Sequence, residues 1–218
     1  MKAHEVIVEL KKQSDLVSLE GMRRFGIDTS KALGVKIPAL RELARRIKRD
    51  HTLALALWQT DIHEARILAS MIDDPGLVTI RQINDWVKDF NSWDLCDQVC
   101  GNLFDKTKHA VDCTFTFTES KKEFIKRAGF VLMAEYAVHD KIAPDKVFID
   151  FLPVIEKHAG DERNFVKKAV NWALRQIGKR NAALRIKAIE TADRIHLQDS
   201  STAKWIAKDA LRELNRLS

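Results

Sequence analysis

One stretch of the chain decides the fold: Phe165-Val166-Lys167-Lys168-Ala169-Val170-Asn171-Trp172-Ala173-Leu174-Arg175. At about 100° per residue, its apolar side chains fall on a single face of a helix. That stripe comprises Val166, Ala169, Val170, Ala173, Leu174 and, just beyond the stretch, Ile177. A helix with one such stripe buries it against neighbouring elements. The stretch therefore predicts an amphipathic helix that is packed among others.

Parts of this stretch recur along the chain. Phe124–Ala128 matches Phe165–Ala169 at a separation of 41 positions, and Lys204–Arg212 matches Lys167–Arg175 at a separation of 37. HEAT and armadillo repeats are about 40–47 residues long. Such repeats stack because one helix pair cannot bury its apolar face alone. We predict an all-α protein, a right-handed α-solenoid of HEAT-like repeats with a concave basic face, forming one domain over residues 1–218.

The remaining periodic segments also predict helices. Pro38 and Pro144 are typical of first turns, and Ser92 and Asp161 of the positions just before a helix. The stretch Cys113–Thr118 has strand-like composition, but it is short and stands alone between helical patterns. Helices are predicted near 2–13, 15–24, 37–49, 51–58, 62–72, 79–90, 92–105, 121–138, 144–158, 162–178, 181–195 and 201–216.

Composition restricts the class of protein. Hydrophobic residues make up 45% of the chain, enough for a substantial core, and the apolar runs fall short of the roughly 20 residues that cross a membrane. No signal-type core opens the chain, so we expect a cytoplasmic protein. Cys96, Cys100 and Cys113 lack metal-site spacing and are expected to be buried thiols.

The charge favours a polyanionic partner without identifying it. Lys and Arg outnumber Asp and Glu by 37 to 31. No Gly-rich phosphate loop and no Gly-x-Ser-x-Gly elbow occur, which argues against nucleotide hydrolysis and acyl transfer. His63-Glu64 is not a zinc-protease signature, because position 67 holds isoleucine.

Several residues lie off the predicted apolar stripes. Trp172 shares a helix flank with Lys168, Arg175 and Lys179. Cations that neutralise phosphates beside an indole that packs on a sugar or base are typical of a nucleic-acid surface. Packing of Trp172 against the next repeat is an equally good interpretation of this helix.

A second pair of this kind is Trp93 and Asp97, which stand at i and i+4 beside a stripe of Cys96, Val99, Cys100 and Leu103. Asp94 lies in the first turn, where an acid favours the helix start, so its predicted role is structural. Asp97 lies beyond that turn and is either a surface salt-bridge residue or a functional carboxylate.

Arg127 lies in a helix that is apolar around much of its circumference. An arginine in such a position needs a partner. The sequence leaves two alternatives open, a buried ion pair with a carboxylate or a bidentate phosphate contact.

Taken together, these segments resemble the AlkD-like DNA alkylation-repair family over nearly the whole chain. The matching pieces are Met22–Ile27, Gly34–Leu43, His63–Arg66, Ser92–Asp97, Lys126–Ala128 and Lys167–Arg175. The resemblance implies a HEAT-like solenoid that removes N3- and N7-alkylated purines from duplex DNA.

The resemblance also implies roles for individual residues. Asp97 matches the family's catalytic carboxylate, Trp93 and Trp172 match two indoles that approach the lesion, and Arg127 matches a DNA-contacting arginine. Phe25 stands where some members have tyrosine, and loss of that hydroxyl is expected to weaken water positioning or substrate contact.

The expected function is therefore that of a monofunctional, monomeric DNA glycosylase without a cofactor or metal, whose partner is double-stranded DNA containing alkylated bases. The alternative is a HEAT-like scaffold that binds DNA or protein and performs no chemistry.

Overall fold

The computed structural model describes residues 1–217, and these residues form helices joined by short turns. No strand occurs among them, so the predicted all-α class is confirmed. Short 3₁₀ turns at Val87–Asp89, Phe104–Lys106 and Asn215–Leu217 extend the ends of three helices. The α-helices are α1 (Ala3–Lys12), α2 (Leu16–Arg24), α3 (Ile37–Ile47), α4 (His51–Trp58), α5 (His63–Ile72), α6 (Ile80–Trp86), α7 (Trp93–Asn102), α8 (Ala110–Thr118), α9 (Glu123–His139), α10 (Asp145–His158), α11 (Asn164–Arg180), α12 (Ala182–His196) and α13 (Ser201–Leu214).

Every predicted helix is present, but one helix was missed. The strand-like stretch Cys113–Thr118 forms most of α8. Its β-branched and aromatic residues are weak helix formers, and tertiary packing decides the outcome, because α8 lies against α9. The approach is close: a Cβ on Gly129 of α9 would come within 2.7 Å of the backbone nitrogen of Thr118.

Most of the residues predicted to mark helix starts lie at or beside one, although the side chain of Ser92 makes no capping hydrogen bond. Pro38 lies in the first turn of α3 and Ser92 is the residue just before α7, as predicted, whereas Pro144 immediately precedes α10 rather than lying within its first turn. Asp161 does not start α11, which begins at Asn164. Its carboxylate instead binds Arg163 and, at 2.9 Å, the Nζ of Lys126 on α9. These two cations lower the pKa of Asp161 against the opposing effect of burial.

The described chain clusters into two compact units, Met1–Thr107 and the part from Lys108 onward. In the first unit, α5 packs against α3, α4 and α7. In the second, α9 packs against α8 and α11, and α11 packs against α12 and α13. The single domain over residues 1–218 stays a prediction.

The apolar stripe of α11 is confirmed, since its six predicted residues are completely buried. Asn171 and Gly178 are buried as well, because α13 lies close to this helix. A Cβ on Gly178 would come within 2.8 Å of both terminal methyl groups of Leu214. The three cysteines are buried, as expected, and burial raises the pKa of the Cys113 thiol to about 11.

Candidate functional site

The helix α7 presents two of the predicted site residues on one side. Its predicted core stripe of Cys96, Val99, Cys100 and Leu103 is fully buried. Trp93 and Asp97, one helical turn apart, are both half-buried. The helix therefore carries an indole and a carboxylate side by side at the margin of its buried face.

The indole of Trp93 is held by a main-chain acceptor. Its Nε1 donates a hydrogen bond of 3.1 Å to the carbonyl oxygen of Phe25, the residue that ends α2. The Phe25 side chain itself is 70% exposed. The structure thus brings these two predicted site residues together, and it uses the backbone of Phe25 rather than its ring to orient Trp93.

A buried histidine supports the start of α7. The Nε2 atom of His63 on α5 lies 2.8 Å from Oδ2 of Asp94, and the His63 side chain is only 4% exposed. The structural role predicted for Asp94 agrees with this contact. Sequence reasoning missed His63, because its partner lies 31 positions away and no local motif joins the two residues.

The residue after His63 has a related role. Both carboxylate oxygens of Glu64 accept from the backbone N–H of Leu33, and Oε1 also accepts from Gly34 at 2.6 Å. Gly34 has a φ of +80°, a conformation that favours glycine. Beside these residues lies a cavity of about 180 Å³ that His63, Glu64 and Asp94 help to line.

His63 and Asp94 each stabilise the charged form of the other. Burial lowers the pKa of His63, but the hydrogen bond and charge of Asp94 outweigh it, and the net pKa is raised. For Asp94, burial raises the pKa and His63 more than reverses this, so the net pKa is lowered. Both shifts favour the charged forms, so the pair is an ion pair between the lowered pKa of Asp94 and the raised pKa of His63.

In the second unit, Arg127 of α9 is 5% exposed. Its Nη1 donates to the carbonyl oxygen of Phe165 at 2.5 Å, in the first turn of α11. The sequence left open a carboxylate or a phosphate as the partner of Arg127 and did not anticipate this main-chain carbonyl. A guanidinium carries five N–H donors, so a nearly buried one needs several acceptors. The contact fixes Arg127 between two consecutive repeats.

Trp172 on α11 is half-buried. When the amide of Gln176 is oriented with its oxygen toward the indole, the Nε1 of Trp172 donates to it at 2.9 Å. Like Trp93, Trp172 has its polar edge satisfied within the protein. Its ring is the part that remains for other contacts.

The three predicted cations around Trp172 differ in their surroundings. Lys168 is exposed. Arg175 and Lys179 both bind Glu213 of α13, at 2.5 Å and 2.8 Å. The hydrogen bond from Lys179 has the largest effect on the pKa of Glu213 and lowers it. Burial raises this pKa, but the hydrogen bond from Arg175 lowers it further, so the net pKa is lowered. The basic flank therefore carries less free charge than its sequence suggests, and its contact with phosphates stays a prediction.

Within residues 1–217, no group of three or more His, Cys, Asp or Glu side chains is arranged to hold a metal ion. In the same part of the chain, no helix has both the length and the apolar character required to cross a bilayer.

The family model for DNA alkylation repair enzymes matches residues 6–214. The chain therefore belongs to the DNA alkylation repair enzyme family. No curated protein matches it by sequence at a significant level.

A solved structure has the same fold, with a TM-score of 0.83 and 20% sequence identity over 99% of this chain and 95% of the other. It is described as a new family of proteins related to the HEAT-like repeat DNA glycosylases, with affinity for branched DNA structures. At this identity the likeness shows the fold, and the predicted HEAT-like architecture is thereby confirmed.

Proposed function

We propose that the protein is a monofunctional DNA glycosylase that hydrolyses the N-glycosidic bond of cationic N3- and N7-alkylated purines in duplex DNA. The observation that carries the proposal is the pair of Trp93 and Asp97 on one side of α7, with the indole fixed by the Phe25 carbonyl. Membership of the alkylation repair family supports it.

The chemistry suits a site of few residues. A purine alkylated at N3 or N7 already carries a positive charge and leaves as a neutral base, so the enzyme has no need to protonate it. Positive charge develops on the deoxyribose as the bond breaks, and a fixed carboxylate stabilises it. Water then attacks C1′ and loses a proton. We assign the electrostatic role and the orientation of this water to Asp97.

The other residues bind the substrate. Trp93 and Trp172 contact a cationic base or sugar through their ring faces, at about 0.5–2 kcal/mol per contact. The anchored N–H groups of both indoles preserve the ring orientation at no further entropic cost. Arg127 contacts the DNA near the lesion through the small part of its side chain that is exposed. Lys168, Arg175 and Lys179 contact phosphates. The reaction needs neither a metal nor a cofactor.

One observation favours a second candidate function, the binding of DNA without chemistry. The solved structure with the same fold is described by its affinity for branched DNA rather than by excision. Only the glycosylase function releases a free base from the DNA. We expect the purified protein to release free N7-methylguanine from a duplex that contains it, and binding of that duplex with no base release would favour the second function.

A further inference from the structure

Three helices of the second unit, α9, α11 and α13, share a sequence register. The separations of 41 and 37 positions align Arg127 of α9 with Lys168 of α11 and with Trp205 of α13. The same alignment places Lys126, Lys167 and Lys204 at equivalent positions. Since α9 packs on α11 and α11 packs on α13, these residues recur along one row of neighbouring helices.

Trp205 is not part of the core of α13. The buried face of that helix consists of Thr202, Ala203, Ile206, Ala207, Ala210 and Leu214. Trp205 is 42% exposed, whereas the equivalent Arg127 is 5% exposed. A single exposed apolar side chain needs no explanation. The surroundings of Trp205 are what distinguish it.

One lysine contacts this indole, and three more lie on the same two helices. The Nζ of Lys167 lies over the Trp205 ring, 5.4 Å from its centroid. Lys204 and Lys208, adjacent to Trp205 and one turn after it, are exposed, as is Lys168 on α11. We call these four lysines and the indole the Trp205 patch.

Most of this charge is not neutralised by the protein. Among the described residues, Lys167, Lys168 and Lys208 form no ion pair, and Lys204 approaches Asp199 only at 4.0 Å. The carboxylate of Asp209, on the same helix, is engaged by Asn171, Arg175 and Arg212. The patch therefore presents positive charge together with an aromatic face.

We propose that the Trp205 patch binds unpaired nucleotides of DNA, with the lysines at the phosphates and the indole stacked on a base. Inside a duplex the faces of the bases are covered by their neighbours, so away from the duplex ends an exposed indole gains a stacking partner only from an unpaired strand. Stacking is tolerant of sequence because every base has a π-face. The proposal rests on the DNA binding proposed above, but it does not depend on catalysis.

The test compares three DNA ligands by fluorescence anisotropy: a blunt duplex, the same duplex with a single-stranded tail, and that duplex with an abasic tail of equal length. We expect the base-bearing tail to bind most tightly. Trp205→Ala should lose about fivefold or more of the affinity for this ligand, while its affinity for the blunt duplex stays unchanged. Trp205→Phe should retain most of the tail preference, because it keeps an aromatic ring.

The lysines are tested separately. Combined replacement of Lys167 and Lys208 with alanine should weaken binding of both tailed ligands and reduce its salt dependence. The matched control is Lys141→Ala, an exposed lysine outside the patch, which should bind the tailed ligands as the wild type does.

Two results would overturn the proposal. The first is equal binding of the base-bearing and abasic tails by the wild type. The second is a Trp205→Ala variant that binds the tailed duplex normally. If that variant also loses a dimer that the wild type forms, the Trp205 patch is a protein interface and not a DNA-binding surface. Excision of N7-methylguanine from the blunt duplex should be the same in Trp205→Ala and the wild type, so failure of the glycosylase proposal is recognised independently.

Discussion

The indole nitrogen of Trp93 donates a 3.1 Å hydrogen bond to the main-chain carbonyl oxygen of Phe25. The bond ties the first residue of α7 to the end of α2. Because the acceptor belongs to the backbone, substitution of the Phe25 side chain leaves it in place. The contributions of the two residues can therefore be tested one at a time.

Replacement of Trp93 tests the anchored indole. Trp93→Phe removes the N–H donor and keeps a ring, and we expect a modest fall in single-turnover excision, about fivefold for one hydrogen bond of roughly 1 kcal/mol. Trp93→Ala removes the ring as well and should lose more, with the loss shared between binding and rate. Equal activities in the two variants would show that the ring contributes nothing.

Replacement of Phe25 tests the missing hydroxyl. Phe25→Tyr adds a hydroxyl to a side chain that is 70% exposed, so the stability to urea should not change. If this position helps to place the attacking water, the excision rate should rise about fivefold, as expected for one added hydrogen bond. An unchanged rate would mean that phenylalanine at position 25 does not slow excision.

The pair of His63 and Asp94 predicts a pH-dependent stability. The raised pKa of His63 gives a contribution that is complete below the unfolded value of about 6.5 and is lost as pH rises through the folded value. The lowered pKa of Asp94 gives a contribution that is present above the unfolded value of about 3.9 and is lost as pH falls through the folded value. The ion pair therefore stabilises the fold most between these limits.

Urea unfolding of Asp94→Asn measures this contribution. The variant should be less stable than the wild type by about 1.5–3 kcal/mol at about pH 5, because a nearly buried imidazolium loses its charged partner. The difference should become smaller as pH rises through the raised folded pKa of His63, because the imidazole then loses its charge in the wild type. A difference independent of pH would contradict the ion pair.

Glu213 offers a test of the basic flank on α11. Glu213→Gln releases Arg175 and Lys179 from their shared carboxylate. The affinity for undamaged duplex DNA should rise about two- to fivefold, with a steeper dependence on salt. The matched control is Glu190→Gln on α12, which releases only Lys187 and should leave affinity unchanged. Equal affinities of Glu213→Gln and the wild type would place the phosphate contacts elsewhere.

The chemistry predicts a preference among lesions. A neutral adduct such as 1,N6-ethenoadenine must be protonated before it departs, and the proposed site contains no acid for this step. Its excision should be far slower than that of N7-methylguanine in the same duplex. Comparable rates for the two lesions would require a proton donor and would contradict the proposed mechanism.

The sequence predicted the repeated helices well, because the stripe of α11 and the recurrences around Phe124 and Lys204 are local patterns. It missed α8, whose Thr and Phe residues fold as a helix because they pack on α9. It also missed the partners of the site residues. Glu213 lies 38 positions after Arg175, and His63 lies 31 positions before Asp94, and no local pattern links either pair.

The most direct test of the account is single-turnover excision of N7-methylguanine by Asp97→Asn at saturating protein. The amide keeps the shape of the side chain and removes the charge that opposes the developing cation on the sugar. We expect a rate loss on the order of 10²–10³, with DNA binding and folding retained, by comparison with removal of one electrostatic contact in other enzymes. Excision at a near wild-type rate would make Asp97 a salt-bridge residue of the surface and would contradict the proposed mechanism.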